Sequence, residues 1–302
     1  MGMRTILQTV PTSLIILIEQ LRAKLHEADF KARHRVRPED FTRDRQWTFP
    51  VLMLFVLQKT VKSIQRHLHE FLDELAEGQW FAPVTAGAVT HARAKLQHTA
   101  FIELNQQVVL PVVNQQSDRL RRWHGHRLFG HDSSLLRLPD GKLEVLVTTL
   151  LDERKYPTEE FLEVYHGRWG HETFYSLLKG RLDLENFSGE TVEAVRQDFH
   201  ATVLLCNLES LLTEPAQAVV KEKSAEHQQP KQINRADAYH ALKDRLLELL
   251  YSDTPPELVI RQLQCLFLAR PISVPPDRKV PRRKQSFHRS YHFQRHVKKI
   301  VF

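Results

Sequence analysis

Hydrophobic residues recur at helical spacing along the N-terminal part of the chain. Apolar positions at i, i+4 and i+7 predict a helix over Leu14–Arg33, with Ser13 as its N-cap. A broader apolar stripe then predicts one long helix from Val51 to Leu75, which Gly78 ends.

Two shorter helices are predicted next. The segment Thr85–Leu96 should pack an alanine-rich face and leave a basic face, with Thr90, His91, Arg93 and Lys95, free. A further helix, from about Phe101 to Val113, should kink at Pro111.

The pattern changes near Trp123, where strand signals begin. The short, partly apolar segment His126–His131 is predicted as a strand that ends at Asp132. Asp140-Gly141 is a turn signal, and Leu143–Leu151, rich in β-branched residues, is the strongest strand candidate.

The remaining pattern is again helical. A helix is predicted from Thr158 to Lys179, and another begins at Gly189 or Glu190 and should bury Val192, Val195, Phe199, Val203, Leu204 and Leu208. The polar segment Glu226–Arg235 is predicted as a linker before two amphipathic segments, Ala236–Leu250 and Glu257–Leu268. We therefore expect a mostly α protein with a small β element.

Composition narrows the class of protein. The 302 residues are 42% hydrophobic, which provides a sizeable core and excludes a wholly disordered chain. No apolar run reaches the roughly 18 residues needed to cross a bilayer, and no secretory signal is recognisable, so we expect a cytoplasmic protein without a membrane partner. Two cysteines, Cys206 and Cys265, exclude a disulfide scaffold. The sequence contains no glycine-rich phosphate loop, so it does not predict a bound nucleotide.

The charge pattern favours a nucleic-acid partner. The chain has 43 Lys and Arg against 36 Asp and Glu, a net charge of +7. From Arg270 onward the residues are strongly basic, Asp277 is the only acid, and four prolines oppose helix formation. A basic, extended tail of this kind can neutralise phosphates, although a solvated terminus has the same composition.

Four polar residues share one stripe of the predicted helix Thr158–Lys179. Tyr165, Arg168, Glu172 and Lys179 fall within about 60° of one another at roughly 100° per residue. The flanking cations should keep Glu172 ionised, which suits a divalent-metal ligand beside a nucleic-acid backbone. Spacing alone favours a simpler alternative, an i,i+4 salt-bridge face in which Arg168 pairs with Glu172.

The same four residues, separated by two, three and six positions, resemble the signature of the IS4-type family of bacterial transposases, which are DDE recombinases. Upstream, Phe129–Ser134 resembles the strand that ends in the first catalytic Asp, with His131 in place of the usual small residue. Val84–Leu96 and the helices before it resemble the N-terminal DNA-binding region of the family. Asn186–Gly189 and the helix with Gln197, Ala201 and Asn207 are also similar.

The resemblance implies cut-and-paste DNA transposition on an RNase H-like sheet, with two Mg²⁺ ions held by two Asp and one Glu. It implies that Asp132 and Glu172 are catalytic metal ligands, and that Tyr165, Arg168 and Lys179 bind the phosphates of the transposon end. DNA is the implied partner, with a homodimer or pairing with intact transposase as further expectations. The implied location is the bacterial cytoplasm, at the nucleoid.

The second catalytic Asp of the family has no counterpart that the sequence identifies. Only 39 residues separate Asp132 from Glu172, and the Asp residues between them are Asp140, in the predicted turn, and Asp152, after the predicted strand. So short an interval cannot hold several strands with their crossovers. An internal deletion at Leu138-Pro139, where two family-like stretches meet, explains this most simply.

We therefore predict a helical DNA-binding domain (1–122), a truncated RNase H-like transposase domain (123–225), and C-terminal helices with a basic tail (226–302). The predicted function is metal-dependent transposition of an insertion sequence, impaired by the missing Asp. The alternative is a non-catalytic DNA-binding remnant, or an inhibitor of the intact transposase.

Overall fold

The structure is a computed structural model. It describes residues 10–43, 46–60, 62–76, 84–115, 122–123, 126–127, 186–225 and 229–274, with single positions between 152 and 178. The chain forms two compact units, one of residues 1–115 with 182–302 and the other of residues 116–181.

The described part of the first unit is almost entirely helical, as the apolar pattern predicts. Its helices are α1 (Thr12–His26), α2 (Ala28–His34), α3 (Phe49–Leu57), α4 (Ile64–Leu75), α5 (Ala86–Arg93), α6 (Thr99–Leu104), α7 (Leu110–Gln115), α8 (Val192–Lys223), α9 (Arg235–Asp244), α10 (Leu246–Leu250) and α11 (Pro256–Ala269). Among the described helices, none combines the length and the apolar character that a membrane span requires.

Four short strands in the described part of the chain form two antiparallel pairs. In the second unit, β1 (Arg122–Trp123) pairs with β2 (His126–Arg127), so the predicted strand His126–His131 is described only at its start. In the first unit, β3 (Lys231–Gln232), in the segment predicted as a linker, pairs with β4 (Ile272–Ser273), at the start of the segment predicted as a basic tail. The predicted strand Leu143–Leu151 and the turn before it lie outside the described residues.

Helix α8, 32 residues long, is the centre of the first unit and packs against α3, α6, α9 and α11. Helix α3 is apolar on all sides, and every residue in it except Pro50 is buried. The other helices of this unit pack around α3 and the buried face of α8.

The predicted single helix Leu14–Arg33 is in fact two helices. Glu27, with φ −64° and ψ 126°, separates α1 from α2, and the N-cap is Pro11 rather than Ser13. Phe30 is out of phase with the apolar stripe of α1, so a continuous helix would point it away from the core. The break turns Phe30 inward, where it is fully buried.

The predicted long helix Val51–Leu75 is also wrong, because α3 ends at Leu57 and α4 begins at Ile64. Ser63 caps α4 by accepting a hydrogen bond from the Arg66 backbone N–H at 3.3 Å. The enclosed α3 and the amphipathic α4 need different surroundings, which one straight helix cannot provide. Gly78 lies outside the described residues, and α4 ends before it.

The predicted distortion near Pro111 is present as a π-helical turn. Residues Asn105–Val109 join α6 to α7, and the Leu110 backbone N–H donates to the Asn105 carbonyl, five residues back. Proline lacks a backbone donor, and its ring crowds the carbonyl four residues earlier, so a locally wider turn accommodates it.

The buried face of α8 differs from the predicted one. Val192 and Phe199 are 69% and 40% exposed, whereas Asp198 is fully buried. The prediction assumed that apolar residues alone define the inner face. Here a partner from another helix satisfies the polar residues, so they occupy it instead.

Candidate functional site

The predicted catalytic stripe lies outside the described residues. This applies to Asp132, Tyr165, Arg168, Glu172 and Lys179, so their roles remain predictions. Of the described neighbours in that segment, Leu178 is buried and Tyr175 is 55% exposed.

Asp152 is described, and its carboxylate has a local structural role. It accepts hydrogen bonds from the backbone N–H groups of Arg154 at 3.1 Å and Lys155 at 3.3 Å, and so stabilises a turn. Among the described residues, no group of three His, Cys, Asp or Glu side chains could hold a metal ion.

A buried polar network connects α5 to the start of α8. Arg93 forms an ion pair with Asp198 at 2.9 Å and donates to the Ser188 hydroxyl at 2.6 Å and to Gln197 Oε1 at 3.0 Å. The same guanidinium donates to the Ala194 carbonyl at 3.0 Å. Because Arg93 is only 6% exposed, the prediction that it lies on a free basic face is wrong.

The other members of this network are also satisfied. Asp198 accepts from the Ser188 backbone N–H at 2.6 Å and from its hydroxyl at 2.9 Å. Gln197 donates to the carbonyls of Arg93 at 3.1 Å and Leu96 at 2.6 Å. A buried charge retains its ionised form at low cost only when its hydrogen-bonding capacity is used in this way. We call Arg93, Ser188, Gln197 and Asp198 the Arg93 network.

Gly189 allows the loop before α8 to reach this network. A Cβ atom built at Gly189 would lie 2.6 Å from the Ala194 Cβ, far inside a normal contact. Thr191 then caps α8 by accepting from the Ala194 backbone N–H at 3.1 Å. The short path from Ser188 into the helix thus requires glycine.

A small cavity of about 110 Å³ lies beside the Arg93 network, and His67 is one of its lining residues. Burial, with a smaller effect of Lys243, lowers the pKa of His67 to about 4. The imidazole is therefore neutral at physiological pH, and it stacks on Phe55 with 4.3 Å between ring centroids. This geometry assigns His67 to the core of the α3–α4 pair.

The outer face of α5 is the second functional feature of the described residues. Thr90, His91 and Lys95 are exposed, as predicted, together with Gly87 and Ala94. Residues at positions 87, 90, 91, 94 and 95 have the i, i+3, i+4, i+7 spacing of one helix face. The predicted basic face therefore exists without Arg93.

Sequence reasoning did not identify Asp198 or Ser188 as functional residues. A signal was present, because Asp198 lies four residues after Ala194 and three before Ala201, in phase with small residues that pack inward. A carboxylate in that phase requires a buried cation as its partner.

Comparison with known families gives one match. A family model described as the transposase DDE domain matches residues 64–208, from the start of α4 into α8. No curated protein and no solved structure matches the chain. The matched region contains the Arg93 network, the outer face of α5 and all five predicted site residues, so a little under half of the chain is similar to a DDE transposase domain.

Proposed function

We propose that the chain derives from an IS4-type DDE transposase and acts on DNA at the ends of an insertion sequence. The observation that carries this proposal is the family match over residues 64–208, which encloses Asp132 and the spaced residues Tyr165, Arg168, Glu172 and Lys179. The spacing adds to the family similarity, since it concerns four particular positions and the match concerns the whole region around them.

In this proposal Tyr165, Arg168 and Lys179 bind phosphates of the transposon end through a hydroxyl, a guanidinium and an ammonium group. Asp132 and Glu172 are the two remaining carboxylates of a centre that would use Mg²⁺. Two carboxylates do not fit a two-metal centre that needs three, and Oδ1 of Asp152 holds a turn of its own.

The incomplete carboxylate set favours a DNA-binding protein with impaired catalysis. The helical N-terminal domain and the basic tail after Arg270 would supply the DNA contacts, and residues 123–225 would be a truncated RNase H-like domain. Such a protein could inhibit the intact transposase by occupying the same DNA or by pairing with it. An internal deletion at Leu138-Pro139 accounts for the shortened interval.

A strand-transfer assay with Mg²⁺ tests this proposal on duplex DNA from the sequence that flanks the gene. We expect salt-sensitive binding without cleavage, and no change in Glu172→Ala or in the matched surface control Glu222→Ala. Cleavage that Glu172→Ala abolishes would show instead that the chain is an active transposase. Absence of DNA binding at low salt would overturn the DNA-binding function itself.

The deletion hypothesis is tested by sequencing intact neighbouring copies of the gene and aligning their protein sequences with this chain. If they align across Pro139 without a gap, the deletion hypothesis is wrong.

A further inference from the structure

The outer face of α5 continues onto a neighbouring segment of the chain. The Val36 backbone N–H donates to the Lys95 carbonyl at 2.9 Å, and Arg35 forms a β-bridge with Leu96. These contacts place Arg37 beside the end of α5. A groove of about 520 Å³ between α5 and residues 39–43 and 46–47 has Arg43, His91 and Lys95 among its lining residues.

We call Arg37, Arg43, His91 and Lys95 the α5 basic face. All four side chains are exposed, and none of them forms an ion pair or a side-chain hydrogen bond with any part of the chain that the structure describes. Asp40, the buried acid in the groove lining, accepts a hydrogen bond from the Arg37 backbone N–H at 2.9 Å. Glu39 is the other acid in the groove lining, and it is exposed.

Some other exposed cations of the same unit are paired. Lys62, just before α4, and Arg66 on α4 both contact Glu70, at 2.5 and 3.3 Å. Arg261 on α11 contacts Glu257 at 2.6 Å. The α5 basic face differs from these salt-bridged pairs, because Arg37, Arg43 and Lys95 form no ion pair with a carboxylate among the described residues.

The shape of α5 suits a DNA groove. Gly87, Thr90 and Ala94 share its outer face, and their small side chains let the helix backbone approach a surface closely. Gln65 fixes the start of the helix, since it donates to the Val84 carbonyl at 3.1 Å and accepts from the Ala86 backbone N–H at 2.9 Å. The face is thus both preorganised and accessible.

We propose that α5 enters the major groove of duplex DNA, with Thr90 and His91 facing base edges and Arg37, Arg43 and Lys95 contacting phosphates on either side. This inference rests on the proposed function. It adds the surface that contacts the DNA and the residues that recognise the DNA sequence. The deep, narrow major groove of A-form RNA would not admit a helix, so the geometry favours DNA.

The test uses the full chain and three 30-base-pair probes: a DNA duplex of the gene-flanking sequence, a scrambled DNA duplex, and RNA of the first sequence. Fluorescence anisotropy over a salt series gives affinity and salt dependence. The triple variant Arg37→Ala, Arg43→Ala, Lys95→Ala should bind both DNA duplexes more weakly and to about the same extent. The salt slope, which is the slope of log affinity against log salt concentration, should fall in magnitude by about 2–3. The charge-preserving variant Lys95→Arg should bind as the parent does.

The base-facing residues have a separate readout. His91→Ala should reduce the preference for the flanking sequence over the scrambled one by about tenfold and leave the salt slope nearly unchanged. A matched control, Lys221→Ala with Lys223→Ala at the exposed end of α8, should change neither property.

Three results would overturn the inference. If the parent binds DNA and the triple variant has the same salt slope, the surface lies elsewhere and the proposed function survives. If the RNA duplex binds as tightly as the DNA, the major-groove geometry is wrong. If the parent binds neither DNA duplex, the proposed function falls together with this inference.

Discussion

Two buried carboxylates of α8 form ion pairs, one near the start of the helix and one near its middle, and the pairs differ in how completely they are satisfied. Asp198 has a fully buried side chain and accepts hydrogen bonds from Arg93 and from two groups of Ser188. Glu209 is 2% exposed and receives one bond, at 2.6 Å, from Arg235, whose side chain is 42% exposed. Its Oε1 atom has no hydrogen-bond partner among the described residues.

The difference shows that burial alone does not make an ion pair stabilising. Removal of a carboxylate from water costs free energy, which several donors can offset and a single donor offsets only in part. Burial accordingly raises the pKa of Glu209, and it raises the pKa of the neighbouring Cys206 to about 12. The region similar to the transposase domain ends at residue 208, so the satisfied pair lies inside it and the other begins just outside.

The largest expected effect comes from breaking the satisfied pair. Arg93→Ala leaves the carboxyl group of Asp198 buried without its cation, and should lower the free energy of unfolding by about 3–5 kcal/mol. Urea denaturation at pH 7 measures this. Arg66→Ala, at a cation with a 70% exposed side chain, is the control and should change stability by less than about 0.5 kcal/mol.

Replacement of both Arg93 and Asp198 by apolar residues distinguishes the cost of an unpaired buried charge from the loss of the surrounding hydrogen bonds. Arg93→Met combined with Asp198→Leu removes both charges, so it should be less destabilising than Arg93→Ala alone. A double variant less stable than the single one would show that hydrogen bonds to Ser188 and Gln197, rather than the charge of Asp198, dominate.

Gly189→Ala should have the next largest effect. Its new Cβ would meet the Ala194 Cβ at 2.6 Å, and the Ser188 loop would have to move away from Arg93, at a cost of about 1–3 kcal/mol. Gly87→Ala is the matched control, because a Cβ there meets only the Thr85 hydroxyl at 3.7 Å, in ordinary contact. That control should stabilise α5 by about 0.5–1 kcal/mol in thermal or urea unfolding. Equal stabilities of the two variants would contradict the close approach at Gly189.

The sequence allowed prediction of the helices but not of their breaks or of this network. The period of apolar residues depends on neighbours within a few positions, so α5 and α11 and the mostly α class followed from it. The helix breaks at Glu27 and after Leu57 depend on tertiary packing, because the chain must change direction there to bury Phe30 and to enclose α3. Arg93 and Asp198 are 105 residues apart, a separation that no local pattern includes.

The candidate site divides in the same way. The exposed face of α5 follows from its helical period, which correctly placed Thr90, His91 and Lys95 outside. The prediction placed Arg93 with them because it grouped the basic residues of the segment, and a local sequence pattern cannot show that one of them has a buried partner on α8. The stripe from Tyr165 to Lys179 stays a prediction, supported by its spacing and by the family match.

Glu209→Gln sharpens the comparison, since its effect should be small and of opposite sign to that of Asp198→Asn. Burial raises the pKa of Glu209 above 4.5, so the folded protein retains a proton that the unfolded chain has lost. This contribution to stability is present below pH 4.5 and is lost as pH rises through the folded pKa. Glutamine resembles the protonated form, so Glu209→Gln should change stability at pH 7 by between zero and about +1 kcal/mol.

Asp198→Asn is the matched change at the satisfied pair, and it should cost about 2 kcal/mol or more because the charge of Arg93 stays buried. Urea denaturation at pH 4.5 and pH 7 compares the two variants. If Glu209→Gln destabilises the protein by more than about 1 kcal/mol at pH 7, its single bond to Arg235 is worth more than its burial costs.

Substitution of Glu70 should have the smallest effect on stability. Its ion pairs are exposed to solvent, in contrast to those of Asp198 and Glu209. It contacts two cations, Lys62 and Arg66, yet 43% of its side chain is exposed. The hydrogen bond from Lys62 lowers the pKa of Glu70, so its contribution is present above pH 4.5 and is lost as pH falls through the lower folded value. Water screens the attraction, so Glu70→Ala should cost no more than about 0.5 kcal/mol at pH 7.

Salt dependence distinguishes this exposed cluster from the Arg93 network. The effect of Glu70→Ala should disappear in about 1 M salt, where the screening length is about 3 Å, whereas that of Arg93→Ala should remain. Asp73→Ala, at another exposed carboxylate of α4, controls for the loss of a negative charge from the helix. A cost above about 1 kcal/mol that salt does not reduce would show that partner number, rather than burial, determines what such a pair contributes.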